Sequence, residues 1–264
     1  RCYQKMCPHC WQLWIQERSS HATLRLMAHS TQRKNRKLFL KHVIISPGKE
    51  LVEQYTTGLI TFENLRARTL QYLYAKSKKT PTGMFIFHPY RHNKRYYEER
   101  KEERYDEDKS LANDMKKWQW IREHNNWQDY VEFSPHWHYV GYIGWILEPE
   151  EREEFIYKTI TNEQGKVINF NGKKNDIYAL IYYLLSHTGD KLNRKYFHSY
   201  TWIGNISYRF GKTVEEKAFE QREKLLKKEK AICHDCGGAL WFMKDNVKAF
   251  FKAWLMVYPL ERYS

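Results

Sequence analysis

Short runs of apolar residues, many of them β-branched, recur along the chain and predict strands. Residues 38–46 read LFLKHVIIS, which is typical of a buried strand, and the Pro-Gly pair that follows ends it. The same kind of pattern predicts further strands over residues 84–90, 131–147, 159–168 and 200–210. The sequence therefore predicts a sheet of several strands.

Helical spacing of apolar residues fills the intervals between these strands. It predicts helices over residues 11–28, 51–78, 176–187 and 214–230. The mixed charges of residues 92–117 favour a solvent-exposed loop or helix. Because strands and helices interleave without a strict βαβ rhythm, we expect an α+β fold with a largely antiparallel sheet.

The charge balance favours a polyanionic partner. The 264 residues include 45 Lys and Arg against 31 Asp and Glu, a net charge of +14, and 16% are aromatic. A hydrophobic content of 42% excludes a disordered basic tail, and we expect no membrane-spanning helix because no apolar run of about 18 residues occurs. Basic residues near the first two strands are the candidate DNA contacts: Arg33, Lys34, Arg36, Lys37 and Arg91.

All five cysteines lie in two tight clusters, Cys2, Cys7 and Cys10 near one end and Cys233 and Cys236 near the other. Close C-x-x-C spacing is typical of zinc ligands rather than of a disulfide framework, so we expect structural Zn²⁺ and a reducing, cytoplasmic setting. One Cys₄ site from the two C-x-x-C pairs and two separate sites are both compatible with this spacing.

The segment SPHWHYVG, residues 134–141, carries the strongest chemical signal. Side chains alternate along a strand, so His136 and His138 project from one face, about 7 Å apart. Two imidazoles in this arrangement can bind one metal ion. A structural or surface pair of histidines is the competing interpretation.

The predicted helix DIYALIYYLLSH, residues 176–187, carries tyrosines on two flanks of its apolar stripe. Tyr183 and His187 are four residues apart and share one flank, and Tyr178 and Tyr182 share the other. Aromatic packing at the edge of a core explains such residues equally well. The functional interpretation is a nucleophilic phenol beside a positioning partner.

Together these segments resemble the HUH superfamily of endonucleases, and more narrowly the rolling-circle replication initiators (Rep) of archaeal or bacterial plasmids and viruses. The resemblance follows the order HVIISP, PHWHYVG and YYLLSH. The opening RCYQKMCPHCWQLW and the later FHPYR, YTWIGNISY and ICHDCGGAL are similar to flanking elements of such initiators. The resemblance extends from residue 1 to about residue 240.

This resemblance implies an HUH-type central antiparallel sheet flanked by helices, with zinc-binding elements at the termini. It implies that His136 and His138 bind Mg²⁺ or Mn²⁺ and that Tyr183 attacks a phosphate of single-stranded DNA at a replication origin. The product is a 5′-phosphotyrosine link and a free 3′-OH. The corresponding parts are a zinc-binding helical element over residues 1–30, an endonuclease domain over 31–212 and a C-terminal helix with a zinc element over 213–264.

The chain departs from the family pattern at one position of the helix. His187 stands four residues after Tyr183, where many members have Lys, so it replaces that cation or supplies a third metal ligand. The neighbouring Tyr182 leaves a two-tyrosine mechanism open, although it lies about 100° away around the helix. Three further residues are candidates for the third ligand, and Glu132 shares the strand parity of His136: Glu132, His88 and Glu123.

Other functions remain open on the sequence alone. A transposase or relaxase of the same superfamily would use the same chemistry, and a zinc-stabilised DNA-binding protein without catalysis would keep the histidines as structural residues. The sequence contains no P-loop, so an initiator of this kind would depend on a helicase supplied by another protein or by missing sequence. We expect a separate host helicase and polymerase as partners.

Overall fold

The computed structural model describes residues 8–32, 40–77, 80–99, 117–118, 120–121, 126–143, 154–160, 174–188, 200–207, 229–232 and 239–242. The helices bounded within these residues are α1 (Pro8–Gln32), α2 (Lys49–Thr56), α3 (Phe62–Lys76), α4 (Lys94–Glu99) and α5 (Lys174–Ser186). The strands within them are β1 (Leu40–Pro47), β2 (Thr82–His92), β3 (Val131–Tyr142), β4 (Phe155–Thr159), β5 (Tyr200–Ile203), β6 (Glu229–Ile232) and β7 (Ala239–Phe242).

Five of these strands form one sheet in the order β4-β1-β3-β2-β5, and every neighbouring pair is antiparallel. The strand with the two closely spaced histidines, β3, is therefore central. The remaining strands, β6 and β7, pair with each other in a separate two-stranded sheet. The expectation of an α+β fold with an antiparallel sheet is confirmed.

Strict alternation along the central strands gives the sheet two different buried faces. We call the side that carries Met84, Ile86 and Val140 the histidine face, because His138 lies on it too. Helices α1 and α5 cover this face with a stripe of apolar residues at helical spacing. The stripe of α5 consists of Ile177, Leu180, Ile181, Leu184 and Leu185.

The opposite side, which we call the tryptophan face, is an aromatic core beneath α2 and α3. Trp137 is 1% exposed, and its ring contacts those of Phe62, Phe85 and Phe87 at centroid distances of 6.2, 5.9 and 4.7 Å. Because Trp137 lies between His136 and His138, its burial on this face directs both imidazoles to the other one.

Several element boundaries differ from the sequence-based expectation. The helix predicted over residues 51–78 is two helices, because Gly58 has φ of +81° and Thr61 begins α3 by accepting a hydrogen bond from the Asn64 amide. The strand predicted over 159–168 overlaps β4 only at Thr159, because β4 begins at Phe155, which pairs with Pro47. Residues 161–168 lie outside the described part of the chain.

Two further differences concern the second half of the chain. Strand β5 ends at Ile203, where Gly204 with φ of +67° opens a short 3₁₀ turn. The helix predicted over 214–230 lies outside the described residues except for its last two positions, which belong to β6.

Within the described part of the chain, no helix has the length and hydrophobicity needed to cross a bilayer.

A buried arginine anchors α1 to the turn after β5. Arg25 is 1% exposed, and its guanidinium donates to the carbonyl oxygens of Ile206 at 2.6 Å and Ser207 at 3.0 Å. It also lies over the ring of Trp202 at 5.4 Å. This residue therefore joins the N-terminal helix to the edge of the sheet.

We expect Arg25→Met to lower the free energy of unfolding by about 2–4 kcal/mol, because two carbonyls lose a charged donor in a buried site. Urea unfolding followed by circular dichroism measures this change. Arg18→Met, at a half-buried position of the same helix, is the matched control. Equal unfolding midpoints for the two variants would contradict the anchoring role.

Candidate metal centre

Three histidines converge on the histidine face near the middle of the two central strands. His88 on β2 lies directly opposite His136 on β3, and His138 is two residues further along β3. One ligand nitrogen from each lies within 4.8 Å of the others, and the three residues are 1%, 6% and 5% exposed. Among the described residues, this triad is the one group of three or more potential ligands that converges.

The ring nitrogens that face away from the triad are held by hydrogen bonds. Nε2 of His88 donates to the carbonyl oxygen of Leu184 at 2.8 Å, and Nδ1 of His136 donates to that of Ser134 at 2.7 Å. Nδ1 of His138 lies 2.7 Å from Nε2 of His42. Metal-binding histidines usually have such an outer partner, which fixes the tautomer and the ring orientation.

These bonds leave one ring nitrogen of each histidine for a shared ion. The available atoms are Nδ1 of His88 and Nε2 of His136 and His138, and Nδ1 of His88 is buried without a hydrogen-bond partner in the described structure. Three converging imidazole nitrogens can bind a divalent transition metal. The structure therefore contains a buried His triad that can hold a metal ion.

Burial keeps the histidines in the neutral, metal-binding form. Desolvation lowers the pKa of His136 to about 4, with a smaller contribution from the positive charge of Arg91. Desolvation, and then the neighbouring imidazoles, hold the pKa values of His88 and His138 well below the usual range. Burial lowers the pKa of His42 to about 3.

Helix α5 brings a tyrosine to the same side of the sheet. The ring of His187 lies 4.1 Å from that of His88 and 4.5 Å from that of Tyr183, measured between centroids. On the other flank of α5, Tyr182 contacts Tyr178 at 5.9 Å. The helix thus places Tyr183 next to His187, which in turn contacts His88 of the triad.

His187 is in contact with the triad without being a member of it. Its ring stacks on Trp118 with centroids 4.9 Å apart and 10° between planes, and Trp118 in turn contacts His92 at 4.4 Å. Sequence reasoning missed this aromatic support, because Trp118 follows a highly charged segment that carries no helical or strand pattern.

The structure does not bring Glu132 to the triad. Glu132 is exposed and lies opposite Arg91, and between the pairs His88–His136 and Tyr90–Phe133 strand β3 contains one extra residue. Such a bulge shifts the alternation of side chains, so the parity argument that linked Glu132 to His136 does not hold across it. Arg91 is exposed and donates to Ser46 Oγ at 2.9 Å.

Several predicted site residues lie outside the described part of the chain. These are Cys2, Cys7, Cys233 and Cys236, the basic residues Arg33, Lys34, Arg36 and Lys37, and Glu123. Cys10 lies in the first turn of α1. The zinc sites and this basic cluster therefore stay predictions, as do the boundaries of the three proposed parts of the chain.

Comparison with known proteins assigns no function to this site. No protein-family model matches the chain, and neither the curated proteins nor the solved structures contain a significant match. What the site can do must therefore be argued from its own geometry.

We expect His88→Ala, His136→Ala and His138→Ala each to weaken Mn²⁺ binding by on the order of 100-fold or more. Removing only the hydrogen-bond partner of a metal ligand lowers metal affinity by about 10–100-fold, and removing the ligand itself costs more. Isothermal titration calorimetry measures this. His29→Ala is the matched control, since His29 is 6% exposed, like His136, but lies outside the triad. Unchanged binding in all three triad variants would contradict the assignment.

We also expect the metal-free chain to lose stability as the pH falls below about 6.5, the pKa of an unfolded histidine. Burial lowers the pKa of His42 to about 3 and that of His136 to about 4, so below pH 6.5 the unfolded chain binds more protons than the folded chain. Each histidine contributes a slope of up to about 1.4 kcal/mol per pH unit down to its folded pKa. Urea midpoints between about pH 7.5 and about pH 4.5 test this, and His136→Gln should reduce the slope.

Proposed function

We propose that this chain is a metal-dependent endonuclease of the HUH type that nicks and rejoins single-stranded DNA to start rolling-circle replication. One observation carries the proposal. The strand with His136 and His138 is the centre of an antiparallel sheet. The helix that covers the same face carries Tyr183, whose ring contacts that of His187, and the His187 ring contacts that of His88. A phosphate-activating metal site beside a tyrosine is the pairing that such chemistry requires.

The triad supplies the metal-binding part of this site. His88, His136 and His138 would hold the ion, which when bound withdraws electron density from a coordinated phosphate oxygen. Of the two cations that the sequence resemblance implies, three imidazoles favour Mn²⁺ over Mg²⁺, because Mg²⁺ prefers oxygen ligands and retained waters.

The covalent step belongs to Tyr183. Its phenolic oxygen attacks the phosphorus, the bond from phosphorus to the 3′ oxygen breaks, and the 3′ oxygen leaves as a hydroxyl after taking up a proton. The 5′ phosphate stays on the tyrosine. His187, whose ring contacts that of Tyr183, would accept the phenolic proton. Attack of a 3′-OH on this link reverses the step and rejoins the strand without ATP.

Arg91 marks the side from which the strand would approach. It is exposed, and its charge reaches His136, the most exposed member of the triad. A phosphate bound by Arg91 would therefore lie beside the metal site. Arg33, Lys34, Arg36 and Lys37 would add contacts to the backbone, in keeping with the net charge of +14. Cys2, Cys7, Cys10, Cys233 and Cys236 would hold structural zinc, and a host helicase and polymerase would complete replication.

We expect Tyr183→Phe to abolish a covalent protein–DNA adduct, with Tyr182→Phe as the matched control that retains it. The assay incubates the chain and Mn²⁺ with single-stranded DNA of random sequence and separates the products on a denaturing gel. Label at the 3′ end of the DNA should migrate with the protein, and label at the 5′ end should be released on a fragment with a free 3′-OH.

The possible failures of this assay differ in meaning. An adduct that survives in Tyr183→Phe and is lost in Tyr182→Phe would assign the nucleophile to the other flank of α5. Absence of any adduct with the wild-type chain, together with salt-dependent DNA binding, would favour a DNA-binding protein without catalysis.

A further inference from the structure

A fourth histidine forms a hydrogen bond with the triad from the neighbouring strand. His42 lies on β1, and its Nε2 is 2.7 Å from Nδ1 of His138. The two rings are close to parallel, with centroids 5.0 Å apart and 29° between planes. Both side chains are 5% exposed. Since both imidazoles are neutral, one of them must donate in this bond and the other must accept.

Metal binding determines the direction of this bond. His138 can bind the shared ion through Nε2 only when Nε2 carries a lone pair, so the ring proton must be on Nδ1. Nδ1–H of His138 then donates to Nε2 of His42. The opposite tautomer places a proton on Nε2 of His138 and blocks the ligand position.

We infer that His42 is a positioning residue, which accepts a hydrogen bond from His138 and so stabilises the tautomer of His138 that binds metal. The inference rests on the metal centre of the proposed function. The other two ligands donate to backbone carbonyls, those of Leu184 and Ser134, which can only accept. His138 is the ligand whose tautomer depends on a side chain.

Two substitutions at this position separate hydrogen bonding from packing. His42→Gln keeps an oxygen acceptor at a similar reach, and His42→Leu removes the acceptor while keeping an apolar side chain in the buried site. Isothermal titration of the full chain with Mn²⁺ should show affinity about 10–100-fold weaker for the Leu variant and near the wild-type value for the Gln variant.

Nitrogen-15 NMR of the histidine rings in the metal-free chain gives a readout that a purely structural role would not change. The wild type and His42→Gln should carry the proton of His138 on Nδ1, and His42→Leu should shift it toward Nε2. The wild-type spectrum tests the inference even where the Leu variant does not fold.

The outcomes distinguish this inference from the proposed function. A Leu variant that binds Mn²⁺ as tightly as the wild type, or a wild-type His138 protonated on Nε2, overturns the role of His42 and leaves the triad in place. A wild-type chain that does not bind Mn²⁺ overturns the metal centre and the positioning role together.

Discussion

The antiparallel register between β2 and β3 is the constraint on which the site depends. It sets His88 opposite His136, and a slip of one residue would move His88 relative to both histidines of β3 and to the buried face. Near one end of this pair of strands Gly83 lies opposite Gly141, and a Cβ on Gly83 would lie 2.6 Å from the Gly141 Cα. Only glycine fits at this close approach, so the pair helps to fix the register that assembles the triad.

Burying three imidazoles against apolar helices has an energetic cost that the surrounding structure reduces. Each ring has a hydrogen-bond partner on its outer nitrogen, which limits the cost of removing it from water. One of these partners is the carbonyl of Leu184, the residue after Tyr183. The orientation of His88 is thereby tied to the helix that carries the proposed nucleophile.

The parts of the site that the sequence predicted are those set by local periodicity. Strand alternation places His136 and His138 on one face, and helical spacing places Tyr183 with His187. The other parts depend on pairing between distant segments. His88 was one of three candidates for the third ligand, and His42 was not predicted for the site, because the places of both follow only from the order β1-β3-β2 and its register. Strand alternation alone predicted that Glu132 shares the face of His136. A one-residue bulge lies between the two residues, and the sequence pattern does not reveal it, so Glu132 does not reach the triad.

A crystal structure of the chain grown with Mn²⁺, with anomalous scattering used to locate the ion, would test the metal centre directly. We expect a single peak on the histidine face, bound by Nδ1 of His88 and by Nε2 of His136 and His138. A peak bound by other residues, or no peak between these three histidines at saturating Mn²⁺, would contradict it.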